Sequence, residues 1–193
     1  MKKVSLLILI LTLGFVTVSA QKTFKADPAA TVINWHGKKI GGEHLGIINL
    51  KEGWLTVNKK VITGGEFIVD MTSIRDLDLK DDGMRGKLEG HLKSDDFFGV
   101  EKYPVSKLVI TGSTTGVDGS LIVKGNLTIK ASTHPVEFTA KSSVSGKDVI
   151  WSAQVAIDRS LYDVRYGSSK FFPNIGDKAI SDEFTLDIKL AVK

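Results

Sequence analysis

Four histidines are the residues of this chain best able to hold a metal or move a proton: His36, His44, His91 and His134. None stands in an HxH, HxxxH or HExxH spacing. His36 and His44 can meet across a hairpin, yet zinc takes three or four ligands and this pair supplies two, so no metal is expected. The chain has no cysteine. That excludes disulfides, thiolate metal sites, a cysteine nucleophile and a lipid anchor on an N-terminal cysteine. No GxSxG elbow is present, and no spacing of Ser, His and Asp singles out a triad. Asp70, Asp76, Asp78, Asp81 and Asp82 crowd one loop without the DxDxDG wording of a calcium loop. They read as a solvated approach to a helix, whose N-terminus favours carboxylates. Nothing here assembles a catalytic set, and the expectation is a protein that is not an enzyme and carries no cofactor.

Two basic residues call for a choice. Asp158-Arg159 and Arg165-Tyr166 flank an irregular stretch, 159–178 (RSLYDVRYGSSKFFPNIGDK). They can form a polar rim for a ligand head group. The stronger reading is structural: an arginine paired with a carboxylate such as Asp158 or Asp163 pins the loop.

The elements around these residues are mostly strands. In 148–157, Val149, Trp151, Ala153, Val155 and Ile157 share one parity. In 183–192, Phe184, Leu186, Ile188, Leu190 and Val192 do the same. Leu121, Val123, Gly125, Leu127 and Ile129 form a third set, Val136, Phe138 and Ala140 a fourth, and Phe67, Val69 and Met71 a fifth. Each is the period-two signature of a half-buried strand. Weaker strand signals lie at 31–36, 45–50, 53–58 and 105–111. Turn residues separate the runs at 41–42, 58–60, 116–119 and 145–148. Gly64-Gly65 reads as a turn or as a bulge inside a long strand. Met84, Leu88, Leu92 and Phe98 recur at helical spacing and predict a short helix over 84–93. Strands joined by short turns are antiparallel, and eight or so in one domain must close or stack to remove their edges.

Residues 1–20 read as a secretory signal peptide. Lys2 and Lys3 form the basic start, 4–18 the apolar core, and Val18-Ser19-Ala20 a small-residue cleavage motif. Residues 21–193 then form a single domain. Cleavage removes two lysines, so the excess of 26 basic over 22 acidic residues falls to two. That is no nucleic-acid footprint. No other apolar run nears the roughly 18 residues of a membrane helix. An outer-membrane barrel would carry aromatic girdles at its strand ends, whereas the aromatics here gather in loops. The mature product is expected to be exported, periplasmic or secreted, with no membrane span.

Three stretches carry a specific wording: HLKSDDFFGVEKYP at 91–104, VKGNLTIKASTHP at 123–135, and IDRSLYDVRYG at 157–167 with Gly176-Asp177 beyond. In this order and spacing they resemble the YceI family along residues 22–192. The resemblance implies an all-β fold, an antiparallel eight-stranded lipocalin-like barrel with one short helix and a long irregular loop. It also implies an elongated apolar cavity holding a polyisoprenoid, an isoprenoid quinone or a fatty-acid derivative. Ala131 departs from the family, which usually has Gly after LTIK, and implies a slightly different turn there.

The residues agree with such a cavity. An eight-stranded barrel is wide enough to be filled by side chains or to hold one small ligand. The inward parities mix large residues with small ones and are almost free of charge. The expected lining from the strands is Trp35, Phe67, Val69, Leu108, Val123 and Leu127, then Phe138, Trp151, Ala153, Val155, Phe184 and Leu186. From the loops come Phe98, Tyr162 and Phe172, with Phe97, Tyr103 and Phe171 as loop anchors or mouth residues. The competing expectation is a stress-linked or enzymatic protein that uses the same barrel with no bound lipid. Monomer and homodimer both remain open.

Overall fold

The structure is a computed structural model and describes residues 20–145 and 148–193. The expected signal segment, apart from Ala20, and the centre of the 145–148 turn lie outside the described residues. The strands are β1 (Lys22–Lys25), β2 (Val32–Lys39), β3 (Gly42–Asn58), β4 (Val61–Asp76), β5 (Val105–Thr115), β6 (Leu121–Ile129), β7 (Ser132–Ser145), β8 (Asp148–Asp158) and β9 (Ile180–Val192), with helix α1 (Asp82–Lys93) after β4. Every ladder from β2 to β9 is antiparallel, and β9 pairs back onto β2. The eight strands β2 to β9 therefore close into a barrel. The short β1 pairs with the far half of β3, beyond the stretch that β2 occupies.

Most of these strands exceed the five or six residues usual in globular proteins; β3 has 17 and β4 has 16. The barrel is correspondingly deep. Its two ends differ. At one end the β3–β4 and β5–β6 connections are tight hairpins. Lys59 and Lys60 adopt φ of 48° and 80°, the left-handed conformation that a two-residue hairpin needs. At the other end lie the β2–β3 turn, helix α1 after β4, and the long segment between β8 and β9.

Bulges interrupt the long β3–β4 ladder, with register shifts between Ile47 and Asn49, between Leu50 and Glu52, and between Thr56 and Val57. Gly64 and Gly65 lie inside β4, so the pair is no turn; both pair in register, with Thr56 and Leu55, and the bulge falls beside them at Thr63. Each bulge flips the parity of the residues beyond it. Ile48 and Leu50 point inward on even numbers, whereas Leu55 does so on an odd one. The separate expectations at 45–50 and 53–58 are thus one strand.

The predicted helix begins two residues earlier than its apolar spacing suggested. Asp81 caps it, accepting from the Met84 N–H at 2.7 Å, and Asp82 fills the first turn. Met84 faces solvent, while Leu92 packs against the core. In the β6–β7 turn the left-handed residue is Lys130 (φ 54°), one place before Ala131. Its Nζ donates to the Asp163 carbonyl at 2.9 Å.

Candidate ligand cavity

The barrel encloses a cavity of about 640 Å³, within the range of small-molecule sites. All eight strands β2 to β9 contribute apolar side chains to its wall. Two cross-strand pairs show how aromatic rings reach into it. Gly46 lies opposite Trp35, and a Cβ on Gly46 would fall 2.3 Å from the indole ring. Gly53 lies opposite Phe67, with a ring carbon 2.4 Å from its would-be Cβ. Each glycine gives a large ring room to lie flat over the partner strand. The Trp35 indole N–H then donates to the Ile47 carbonyl at 3.2 Å, so its polar atom is satisfied.

The wall is polarised along the barrel axis. Toward the hairpin end, Leu55, Ile62, Ile110, Val123 and Ala140 are all buried. Polar lining gathers at the helix end: Lys38 and Lys39 from the last residues of β2, His44 on β3, His91 on α1, and Arg159, Asp177 and Lys178 from the long segment between β8 and β9. An aromatic group closes this end. His91 packs edge-on against Phe97 (5.0 Å between ring centres) and against Tyr166 (4.5 Å). Phe98 meets Phe184 of β9 at 6.2 Å.

Arg159 organises the loop beneath that group. Its side chain is 4% exposed. Nε donates to the Ser181 carbonyl at 2.9 Å, Nη1 to that of Val164 at 2.8 Å, and Nη2 to that of Ile180 at 3.1 Å. Asp182 supplies the counter-charge at 3.6 Å. The guanidinium thus pins the loop to the start of β9, as the structural reading had it, with backbone carbonyls and Asp182 as partners in place of Asp158, while the residue also borders the cavity. Arg165 pairs with Asp163 at 2.5 Å, as one of the expected choices had it. Asp158 instead caps the 3-10 turn Arg159–Tyr162 and binds Lys170 at 2.6 Å.

Of the expected lining residues, all but two face the cavity: Trp35, Phe67, Val69, Phe98, Leu108, Val123, Leu127, Phe138, Trp151, Ala153, Val155, Phe184 and Leu186. Tyr162 and Phe172 do not. Tyr162 is 1% exposed in a second cluster with Ile129, Val155 and Ile157, and its ring meets His134 edge-on at 5.2 Å. Burial pushes its phenol pKa up, so it packs as a neutral group. Phe172 is 50% exposed on the long loop and is not part of the cavity lining. Phe97, one of the expected mouth candidates, lines the cavity together with Tyr166, whereas Phe171 and Phe172 are not part of the lining. Ile48, Leu50, Leu55 and Ile74 line the cavity as well. They were missed because the bulges in β3 and β4 break the alternation that would have marked them.

Fold and cavity together place the chain among small closed barrels whose interior is left open enough to enclose one ligand. More narrowly, residues 24–192 match the YceI-like domain family, and the chain belongs to that family. Over 67 residues it is 33% identical to a UPF0312 protein of Shewanella denitrificans, a stretch amounting to 35% of either chain. The match thus spans about a third of the length of that curated relative. Among solved structures, BcnA of Burkholderia cenocepacia superposes with a TM-score of 0.71 at 18% identity, covering 87% of this chain and 99% of that one. A polyisoprenoid binding domain from Saccharophagus degradans superposes with a TM-score of 0.62 at 13% identity, covering 88% and 97%. At these identities the likeness is one of fold.

Proposed function

We propose that this chain is an exported binding protein that holds one long-chain amphiphile, a polyisoprenoid, an isoprenoid quinone or a fatty-acid derivative, inside its barrel. The observation that carries the reading is the cavity of about 640 Å³ walled by apolar side chains from eight strands. A barrel that only built a dry core would fill that space, because interiors pack to crystal density. A hydrocarbon gains about 0.8 kcal/mol for each CH₂ removed from water, so a long chain binds there through apolar contact alone. The polyisoprenoid binding named for the Saccharophagus degradans neighbour supports the same ligand class. Residues 1–20, with their basic start, apolar core and Val18-Ser19-Ala20 motif, support export.

The polar residues at the helix end suit an orienting role. A chain enters tail-first toward the buried hairpin end, leaving its head group beside Lys38, Lys39 and Lys178. Binding fits better than catalysis, since the most buried basic side chain, Arg159, is committed to backbone carbonyls.

Native mass spectrometry and organic extraction of protein purified without detergent test this directly. The expected result is a stoichiometric prenyl or acyl species. A clean apo mass, with no melting shift across a panel of prenols, quinones and fatty acids, would overturn the reading.

A further inference from the structure

One cluster near the helix end, reaching the cavity wall only through His44, is not explained by holding a hydrocarbon chain. His44 lies on β3, Asp76 closes β4, and Asp78 follows two residues later. The ladder sets Asp76 opposite Gly46, two residues beyond His44. His44 Nδ1 is 3.0 Å from Asp78 Oδ2 and 3.8 Å from Asp76 Oδ2. The second oxygen of each carboxylate is already engaged. Asp78 Oδ1 accepts from the Leu45 N–H at 2.7 Å, and Asp76 Oδ1 from the Leu79 N–H at 2.9 Å. One oxygen of each is thereby left for the centre of the group.

The Asp76 side chain has no solvent exposure, and its Oδ2 accepts no hydrogen bond. A buried carboxylate oxygen without a donor is costly and calls for a cation. Among the described residues, the one ion pair of Asp76 is that long contact with His44. One ligand atom from each of the three side chains lies within 4.8 Å of the others. Two ligand atoms about 2.1 Å from a common ion are about 3 Å apart at a right angle and about 3.4 Å apart in a tetrahedron. The His44–Asp78 separation of 3.0 Å meets this, whereas Asp76 at 3.8 Å from His44 must draw in by a few tenths of an ångström to join the same ion.

We propose that His44, Asp76 and Asp78 form a site for a divalent transition metal at the helix end of the barrel. One imidazole and two carboxylates suit zinc or manganese, whereas calcium and magnesium favour sites made of oxygen alone. Three protein ligands leave the remaining positions to water. The proposal stands apart from the lipid reading, because metal binding can be read on lipid-free protein.

The competing arrangement is a carboxyl pair that shares a proton. Burial pushes the Asp76 carboxyl up from its ordinary value, and the neighbouring Asp78 carboxylate adds to the rise. Burial also works against ionised Asp78, but the Leu45 N–H and His44 outweigh it and hold that carboxyl down. A metal entering the site displaces the shared proton.

Titration calorimetry of chelator-stripped, lipid-free protein with zinc chloride, repeated in buffers of different ionisation enthalpy, decides between them. Manganese and calcium chloride serve as comparison. The expected result is one zinc per chain with proton release, calcium binding at least tenfold weaker, and a loss of at least tenfold in His44→Gln and Asp78→Asn. His44 is half-buried and Asp78 is exposed, so both variants stay informative if Asp76→Asn fails to fold. A nitrogen-15 spectrum should move the His44 Nδ1 resonance on zinc addition. No binding, or variants that bind like the wild type, overturns the proposal. So does a loss seen in His36→Gln alone, which would place any zinc on His36 and Glu43.

Discussion

The two ends of the barrel use opposite means of closure. The hairpin end is shut by short turns and apolar packing: Leu55, Val123 and Val192 are each at most 1% exposed. The helix end is shut by polar groups spent on backbone. Arg159 ties the loop carbonyl of Val164 to those of Ile180 and Ser181 at the start of β9, Asp81 caps α1, and His91 is wedged between aromatic rings. Apolar packing is non-directional and strong per unit area, so it makes a permanent floor. Hydrogen-bonded loops with few buried apolar contacts open more readily. A binding barrel that must load and keep a chain needs one end of each kind.

The contrast can be broken most severely at the floor. Trp151 is 9% exposed and packs within the apolar cluster of the barrel, where a new carboxylate would be buried. Trp151→Glu should cost several kcal/mol, on the order of the whole stability of a domain this size. Urea denaturation followed by circular dichroism should show little cooperative transition, and Phe138→Asp should come close to it. At the helix end the largest effect is expected from Arg159→Met, which leaves three carbonyls without their donor and Asp182 without its nearer counter-charge. A loss of about 3 kcal/mol follows from orphaned buried partners. Hydrogen exchange should rise across 159–181 while the β3–β4 and β5–β6 hairpins stay protected. Exchange rising equally at both ends would mean that the two closures are a single unit.

What could be read from sequence divides along the same line. The ladders β6–β7 and β8–β9 run without a register shift, so alternation marked their inward residues correctly from Val123 through Leu190. The β3–β4 ladder carries three shifts, and there the parity rule lost Leu55 and Ile74. Loop aromatics were harder. Tyr162 and Phe172 sit in the same kind of sequence as Phe97 and Tyr166, and only the path of the chain decides which turn inward. His44 and Asp78 are 34 residues apart and meet because β3 and β4 pair, a juxtaposition that no local spacing announces. The strands, the helix and the irregular loop were legible because they depend on period and turn chemistry, whereas the residues alone left closing and stacking both open and the barrel came from the family resemblance. The site was most legible where the ladder is regular, although Phe67 and Val69 on the shifted β3–β4 ladder were marked correctly as well.

Ala153→Phe sharpens the comparison more gently. Ala153 lines the cavity on β8 between Trp151 and Val155. A phenyl group there enters open space, so the stability cost should stay under about 1.5 kcal/mol, below that of overpacking a filled core. Retention of a prenol or fatty acid should fall at least tenfold in a fluorescence displacement assay. Retention equal to the wild type would place the ligand elsewhere.

The smallest expected effects come from two aspartates that do the same job at opposite ends. Asp118, in the β5–β6 turn, accepts from Ser120 and binds Lys141 at 2.7 Å. Asp158, at the head of the long loop, accepts from Ser160 and binds Lys170 at 2.6 Å. The Lys141 ammonium, then Ser120, hold the Asp118 carboxyl well below its ordinary value. Burial opposes ionisation of Asp158, but Lys170 and Ser160 outweigh it and its carboxyl is also lowered. Both carboxyls are depressed on folding, so the unfolded chain binds more protons in acid. Their stabilisation is complete above the unfolded value near pH 3.9 and is lost as pH falls through the folded values. Asp118→Asn and Asp158→Asn should therefore each flatten the acid limb of the stability curve below about pH 5. Salt then separates them. The Asp118–Lys141 pair stands in solvent, and about 1 M sodium chloride, with a Debye length near 3 Å, should erase most of its difference from wild type. Asp158 shares Lys170 with the half-buried Asp182 and should keep more of its effect. Equal salt sensitivity in the two variants would show that the electrostatics of the loop end are as exposed as those of the hairpin, and that the difference between the ends lies in packing alone.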